Sequence, residues 1–167
     1  FSKNKINELD PELNGEWISG STIYTEGESM YRSYIVKYAG VDAATGNPLY
    51  WTKTTPAADA TEEEKAAFVP EWYATSNYDE AYANGRQATD DLLPTVYGGF
   101  GTSLDFFGFD FSIQMAYQLG GKIFDYSYQA LMHNGDGSSA GQNWHVDMAK
   151  AWTPENTNTD VPRLNRS

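Results

Sequence analysis

Cysteine is absent from this 167-residue sequence, which excludes disulfide bonds and thiolate chemistry. No apolar run approaches the length of about 20 residues that a transmembrane helix needs, so we expect no such helix. Basic residues are scarce, because 11 Lys and Arg stand against 23 Asp and Glu and give a net charge of −12. That balance argues against nucleic acid as a partner, since phosphate recognition relies on Lys and Arg.

Aromatic residues, in contrast, are abundant. The sequence contains 12 Tyr, 8 Phe and 5 Trp. Such residues pack protein cores in most cases. They also form the aromatic girdles of membrane barrels and the stacking surfaces of ligand sites. Composition alone leaves these three roles open.

The clearest pattern is the stretch GFDFSIQMAYQLGG, residues 108–121. Its apolar residues occupy every second position, and mostly polar residues lie between them. This period of two predicts a β-strand with one apolar face and one polar face. The apolar face comprises Phe109, Phe111, Ile113, Met115, Tyr117 and Leu119.

The preceding residues have the same alternation and predict an antiparallel partner strand. A tight turn at Phe107-Gly108 would pair residue 106 with 109, 104 with 111 and 100 with 115, apolar opposite apolar. The same register sets Asp105 opposite Asp110, where like charges repel. A hairpin over residues 95–119 is therefore predicted in one register, with an aqueous lumen or a neighbouring cation to ease that repulsion.

The length of the hairpin bears on the solvent that it meets. About eleven residues at about 3.3 Å each give about 36 Å, which spans about 25 Å at a tilt near 45°. That height matches the apolar band of an outer-membrane barrel, whereas strands of globular proteins are about half as long. A long hairpin of a soluble sandwich or barrel has the same pattern, so the residues leave lipid and protein core both open.

The remaining chain divides into three further segments. Residues 1–9 read as the end of a strand, and residues 10–94 and 120–167 read as long polar loop regions. Within the first loop region, residues 34–53 predict two short strands around a turn, and TEEEKAAF predicts a helix with a Thr61–Glu64 capping box. Short helices are also predicted at YSYQALMH and at NWHVDMAKAW, the latter with Trp144, Met148 and Trp152 on one face.

Several blocks resemble the SusC/RagA family of TonB-dependent outer-membrane transporters. They are YGGFGTS, GFD.S, YQLGGK and AWTPENTNTD.PRL, in that order, and NKINEL and YAGVDAATGNPLYW resemble the family's preceding stretch. The resemblance covers most of the chain, and residues 54–90 are the part that does not match.

The resemblance implies a fold and a function. Family members have an N-terminal plug inside a 22-stranded antiparallel transmembrane β-barrel, so these residues would be an all-β fragment of the C-terminal region with long extracellular loops that carry short helices. The family imports glycans or peptides with energy passed on by TonB, which would act through the missing N-terminal part, and a SusD-like lipoprotein caps the outer side.

Location and orientation follow from the same resemblance. The chain would lie in the outer membrane, with the apolar residues 109–119 listed above facing lipid. Since outer-membrane barrels have short periplasmic turns, the turn at 107–108 would be periplasmic and residues 10–94 and 120–167 extracellular.

Candidate site residues are few, and no catalytic constellation is found. Trp144, Trp152 and Trp51 could stack on a ligand from the loops, although packing within a loop is the commoner role of such residues. HNGDG, with His133 and Asp136, offers oxygen ligands for a loop calcium but lacks EF-hand spacing, and a solvated loop is the commoner case. We therefore expect a non-enzyme without a resident cofactor. The alternative to a transporter is a soluble, secreted β-rich carbohydrate-binding module.

Overall fold

A computed structural model describes residues 3–135 and 141–164 of the chain. These residues form two compact units, which we treat separately. One unit comprises residues 3–34 and 88–123, and the other comprises residues 35–87 and 124–164.

Short strands make up most of the regular structure in the described residues. The strands are β1 (Glu16–Ser19), β2 (Thr22–Thr25), β3 (Tyr34–Val36), β4 (Tyr38–Val41), β5 (Pro48–Lys53), β6 (Trp72–Thr75), β7 (Arg86–Ala88), β8 (Pro94–Phe106) and β9 (Phe109–Gly120). The α-helices are α1 (Glu62–Ala67), α2 (Tyr78–Asn84) and α3 (Tyr126–Leu131), and single 3₁₀ turns lie at Pro11–Leu13 and Val146–Lys150. In the part of the chain that the structure describes, no helix combines the length and apolarity needed to cross a membrane.

The predicted hairpin is the pair β8–β9. Phe106 pairs with Phe109, Leu104 with Phe111, and Phe100 with Met115, as the alternation predicts. Phe107 and Gly108 connect the strands with φ angles of 50° and 81°. Positive φ at both positions fits the two-residue hairpin turn whose twist matches that of the strands. The predicted register and turn are confirmed.

A second hairpin, β1–β2, lies in the same unit and was not predicted. Trp17 pairs with Tyr24, and their rings stack with centroids 5.0 Å apart. Residues 3–9 form no strand in the structure, and the predicted end of a barrel strand over residues 1–9 stays a prediction. A strand needs a continuous hydrogen-bonded neighbour. Here Ile6 alone exchanges backbone hydrogen bonds, donating to Glu28 and accepting from Gly27.

The second unit is built around a three-stranded antiparallel sheet in the order β4–β5–β6. The turn between β4 and β5 at residues 42–47 is the predicted one. Helix α2 packs on β5, where Thr52 and Ala81 are completely buried. Helix α1 carries the predicted capping box between Thr61 and Glu64.

A small apolar cluster forms the core of the rest of the second unit. Met148, Ala151 and Val161 form it, with Met132 and Leu164 packed against it. Helix α3 confirms the helix predicted at YSYQALMH. The helix predicted at NWHVDMAKAW is confirmed only in part, because it is a short 3₁₀ helix between its N-cap His145 and Ala151. Ala151 is extended, with φ −52° and ψ 147°, and this conformation ends the turn before Trp152.

The strands support the predicted all-β class in its general form. The described residues form separate sheets of two or three strands, and these do not close into a barrel. A 22-stranded barrel therefore stays a prediction about a larger assembly.

Candidate functional site: the hairpin faces and the loop tryptophans

The apolar face of β9 consists of exposed side chains. Phe109 is 78% exposed, Leu119 60% and Phe111 53%. Met115 and Tyr117 are also exposed, and Ile113 is half-buried. The cross-strand partners Phe100, Leu104 and Phe106 extend the same apolar face onto β8. Such a large apolar surface marks a place that meets lipid or another protein surface.

The opposite face of β9 is polar. Asp110, Ser112, Gln114 and Gln118 project there, since successive residues of a strand point to opposite sides. The pairing of Asp105 with Asp110 lies beside the turn, as predicted. The hairpin therefore separates an apolar face from a polar one along its whole length.

Gly98 has a packing role on the apolar face. A Cβ atom at this position would lie 2.7 Å from the hydroxyl oxygen of Tyr117, its cross-strand partner. The absence of a side chain thus lets the Tyr117 ring lie flat across β8. This contact explains one glycine of the YGGFGTS block.

Trp144 packs within its own loop. Its Nε1 donates a hydrogen bond of 3.1 Å to Nδ1 of His133. A Cβ atom at Gly135 would lie 2.8 Å from the indole ring, so the loop backbone runs close against it. The ring is 42% exposed. These contacts favour a structural role, and the predicted ligand role of Trp144 stays a prediction.

Trp152 anchors a second loop. Its Nε1 donates to the carbonyl of Ala43 at 3.1 Å, and its ring covers Gly46, where a Cβ atom would lie 2.5 Å away. Gly46 has φ 73°, a conformation that glycine adopts at no steric cost. The ring is half-buried. Trp152 therefore fastens its segment to the β4–β5 turn.

Trp51 differs from these two. It lies in β5, is 39% exposed and pairs with Ala74 of β6. Trp72 lies two residues from Ala74 on β6 and is 47% exposed. Of the three predicted tryptophans, Trp51 is the one that lies in a regular sheet, and its predicted ligand role stays a prediction.

A polar cleft of about 380 Å³ lies near the apolar cluster of the second unit. Its lining includes Tyr128, Asp147, Lys150, Asn158 and Asp160. Lys150 donates to Asp147 at 2.7 Å, and this hydrogen bond holds the pKa of Asp147 below its ordinary value. Sequence reasoning missed the cleft, because α3 and the segment 156–161 are far apart in sequence.

The hydroxyl group of Tyr38, which contacts the 156–161 segment of the cleft lining, has a raised pKa. Burial, with smaller contributions from Tyr50 and Asp160, raises the pKa of Tyr38 to about 12. Its hydroxyl donates to the backbone carbonyl of Asp160 at 2.9 Å. Tyr38 is therefore a neutral hydrogen-bond donor at physiological pH, which fastens β4 to the 156–161 segment.

The predicted calcium loop lies partly outside the described residues, since Asp136 and Gly137 are not among them. His133, which is described, accepts hydrogen bonds at Nδ1 from Gly135 and Trp144. Over residues 3–135 and 141–164, no group of three acidic or histidine side chains is arranged to hold a metal ion.

The sequence is similar to part of a known protein. No protein-family profile matches the chain. The TonB-dependent receptor P3 of Formosa agariphila is 31% identical over 142 residues, which cover 84% of this chain. The chain is similar to one segment of a TonB-dependent receptor. That segment is 13% of the receptor's length.

Two solved structures agree with this match. The RagAB peptide transporter gives a TM-score of 0.66 at 24% identity. The RagAB peptide importer in its "closed-closed" state gives 0.65 at 26% identity. Each match covers 92% of this chain and 16% of the solved chain.

These findings confirm the resemblance to RagA-type TonB-dependent transporters that the sequence predicts. TonB-dependent receptors are outer-membrane transport proteins and are not enzymes, which agrees with the predicted location and with the prediction of a non-enzyme. The chain spans between 13% and 16% of the proteins that it matches.

Proposed function

We propose that this chain is part of an outer-membrane, TonB-dependent importer of glycans or peptides. The observation that carries the proposal is the match of 84% of the chain to a TonB-dependent receptor. The hairpin supports it independently, because β8 and β9 have 13 and 12 residues, about twice the length of ordinary strands. Such strands are long enough to span a bilayer at the usual tilt.

In this proposal the two hairpin faces have different solvents. Phe109, Phe111, Ile113, Met115, Tyr117 and Leu119 face lipid, and the polar residues between them face the lumen. The turn at Phe107-Gly108 is periplasmic, because periplasmic turns are short. Residues 10–94 and 120–167 then lie outside the cell, where they can meet substrate.

Partners follow from the same placement. The RagAB complex supports a SusD-like surface lipoprotein as the outer partner. TonB would supply energy through a part of the protein beyond this segment. No step of the proposed function alters the substrate covalently.

The proposal is tested by fractionating cells that produce the protein under metabolic labelling with palmitate. We expect the protein in the outer-membrane fraction, extracted only with detergent and accompanied by a palmitate-labelled lipoprotein. Uptake of a labelled oligosaccharide or peptide mixture should stop when the proton-motive force is dissipated. Recovery of the protein as a soluble secreted monomer would contradict the proposal and favour a carbohydrate-binding module.

A further inference from the structure

Over the described residues, the β4–β5–β6 sheet has one face that is covered and an opposite face that carries exposed side chains. Helix α2 covers the first, where Thr52 is completely buried and Tyr50 contacts Tyr78 edge-on at 5.2 Å. On β6, the hydroxyl groups of Tyr73 and Thr75 both donate to the carboxylate of Glu80 in α2. Residues 50, 52, 73 and 75 therefore point toward the helix, and their neighbours point away from it.

The open face carries two tryptophans and two lysines. Trp51 lies opposite Ala74, and Lys53 lies opposite Trp72, so all four share one face. The backbone N–H of Trp51 donates to Lys37, which continues the Tyr38–Tyr50 pairing by one residue and sets Lys37 opposite Trp51. We call Lys37, Trp51, Lys53 and Trp72 the open face.

These residues combine stacking surface with positive charge. Trp72 is 47% exposed, Lys37 is exposed and Lys53 is half-buried. Strand pairing sets Trp51 and Trp72 on a diagonal about 7–8 Å apart, so both rings can contact one ligand. Two neighbouring ammonium groups are unusual in this chain, because it has only 11 basic residues against 23 acidic ones. A positive patch of this kind attracts anions at short range.

We propose that the open face binds an acidic oligosaccharide, with sugar rings on Trp51 and Trp72 and carboxylate or sulfate groups on Lys37 and Lys53. Sheets recognise peptides through hydrogen bonds along an edge and through pockets for alternate side chains. The open face offers flat rings and charges on a sheet surface, which suit a sugar ring with a pendant anion. This inference rests on the proposed function and names the substrate class within it.

The test uses the detergent-extracted protein and a defined probe, tetragalacturonate, with the uncharged cellotetraose as its matched comparison. Binding is measured by titration calorimetry at low and at physiological ionic strength. We expect tetragalacturonate to bind and cellotetraose to bind at least tenfold more weakly. Trp72→Ala should weaken binding tenfold or more, and Lys53→Gln should weaken it and flatten its dependence on salt.

A control variant separates this site from general loss of aromatic surface. Trp17→Ala removes a tryptophan of similar exposure from β1 and should leave binding unchanged. Lys53→Glu provides a charge reversal at the sheet surface, in case Trp72→Ala perturbs folding, and should abolish binding. Equal binding of both sugars, or unchanged binding in Trp72→Ala and Lys53→Glu, would overturn the inference. Tighter binding of tetraglutamate than of tetragalacturonate would overturn it in favour of an acidic peptide.

Uptake distinguishes the failure of this inference from that of the proposed function. If energised uptake of a labelled substrate persists in Lys53→Glu and tetragalacturonate does not bind, the inference fails and the importer stands. If tetragalacturonate binds with the expected variant effects but no uptake depends on the proton-motive force, the site stands and the importer fails.

Discussion

The β8–β9 hairpin and the β4–β5–β6 sheet differ in how far their side chains are buried. The sheet buries Thr52 and Ala81 between β5 and α2, so one of its faces is covered within the chain. The hairpin leaves Phe100, Leu104, Phe109 and Leu119 at least 60% exposed. The sheet is thus stabilised by its own helix, whereas the apolar side chains of the hairpin remain exposed over the described residues. In our proposal, the exposed hairpin face meets lipid and the sheet meets substrate.

The largest expected effect comes from placing a charge on the apolar face of the hairpin. Ile113→Arg should destabilise the protein in a bilayer by about 2–4 kcal/mol, the cost of a basic side chain near the midplane on the lipid side. The amount of folded protein recovered from the outer membrane and its unfolding in liposomes measure the effect. Gln114→Arg, one residue further along, is the control and should cost much less. A larger loss for Gln114→Arg would reverse the two faces.

A second substitution tests whether the second unit holds itself together. Gly46→Ala should destabilise it by about 2–3 kcal/mol, because alanine is strained at positive φ and its Cβ atom would collide with the Trp152 ring. Hydrogen-exchange protection of residues 38–53 reports the effect.

The matched control for this substitution is Gly20→Ala. Gly20 also has a positive φ of 59°, but a Cβ atom there meets nothing within 4 Å. Gly20→Ala should lower the free energy of unfolding by about 1 kcal/mol, which corresponds to the backbone strain alone. Equal effects of the two substitutions would show that Trp152 does not fasten the β4–β5 turn.

The smallest expected effect concerns pH. The hydrogen bond from Lys150 lowers the pKa of Asp147 below its ordinary value of 3.8. The charged form is favoured in the folded state, so its stabilising effect is present above pH 3.8 and is lost as the pH falls through the lowered value. Hydrogen-exchange protection of residues 146–152, corrected for the intrinsic pH dependence of exchange, should therefore decrease below pH 3.8.

Asp147→Asn identifies the source of that change. It should give reduced protection of residues 146–152 at pH 5 and remove the decrease at lower pH. Asp59→Asn, at an exposed aspartate, should leave both unchanged. A decrease that persists in Asp147→Asn would assign the pH dependence to another group.

Local patterns predicted some elements well. The alternation in residues 95–119 specifies the hairpin register, because a shift of one residue would exchange its two faces. The capping box of α1 likewise depends on residues only three positions apart. The β1–β2 hairpin also had a local signal, the Gly20-Ser21 pair between two short runs of strand-forming residues. Helix α2 had Asn77 as its N-cap and Gly85 at its end.

Other features depend on contacts between distant segments and had no such signal. Trp152 donates to Ala43, which is 109 residues away in sequence. The polar cleft joins α3 to residues 156–161, and the open face requires the pairing of β5 with β6. The 3₁₀ helix at Val146–Lys150 is shorter than the predicted helix because the extended Ala151 leads Trp152 into its backbone hydrogen bond with Val161. Sequence periodicity describes a single strand or helix and gives no information about such distant partners.

The measurement that tests the central claim most directly is a nitroxide scan of residues 109–119 in liposomes. These 167 residues contain no cysteine, so within them each position can be labelled through a single introduced cysteine. Accessibility to oxygen, which partitions into lipid, is compared with accessibility to a water-soluble nickel complex. Our account predicts strict alternation, with oxygen favoured at Phe109, Phe111, Ile113, Met115, Tyr117 and Leu119 and the nickel complex at the positions between them. Uniform accessibility to the nickel complex, or alternation with the opposite phase, would contradict the assignment of this face to lipid.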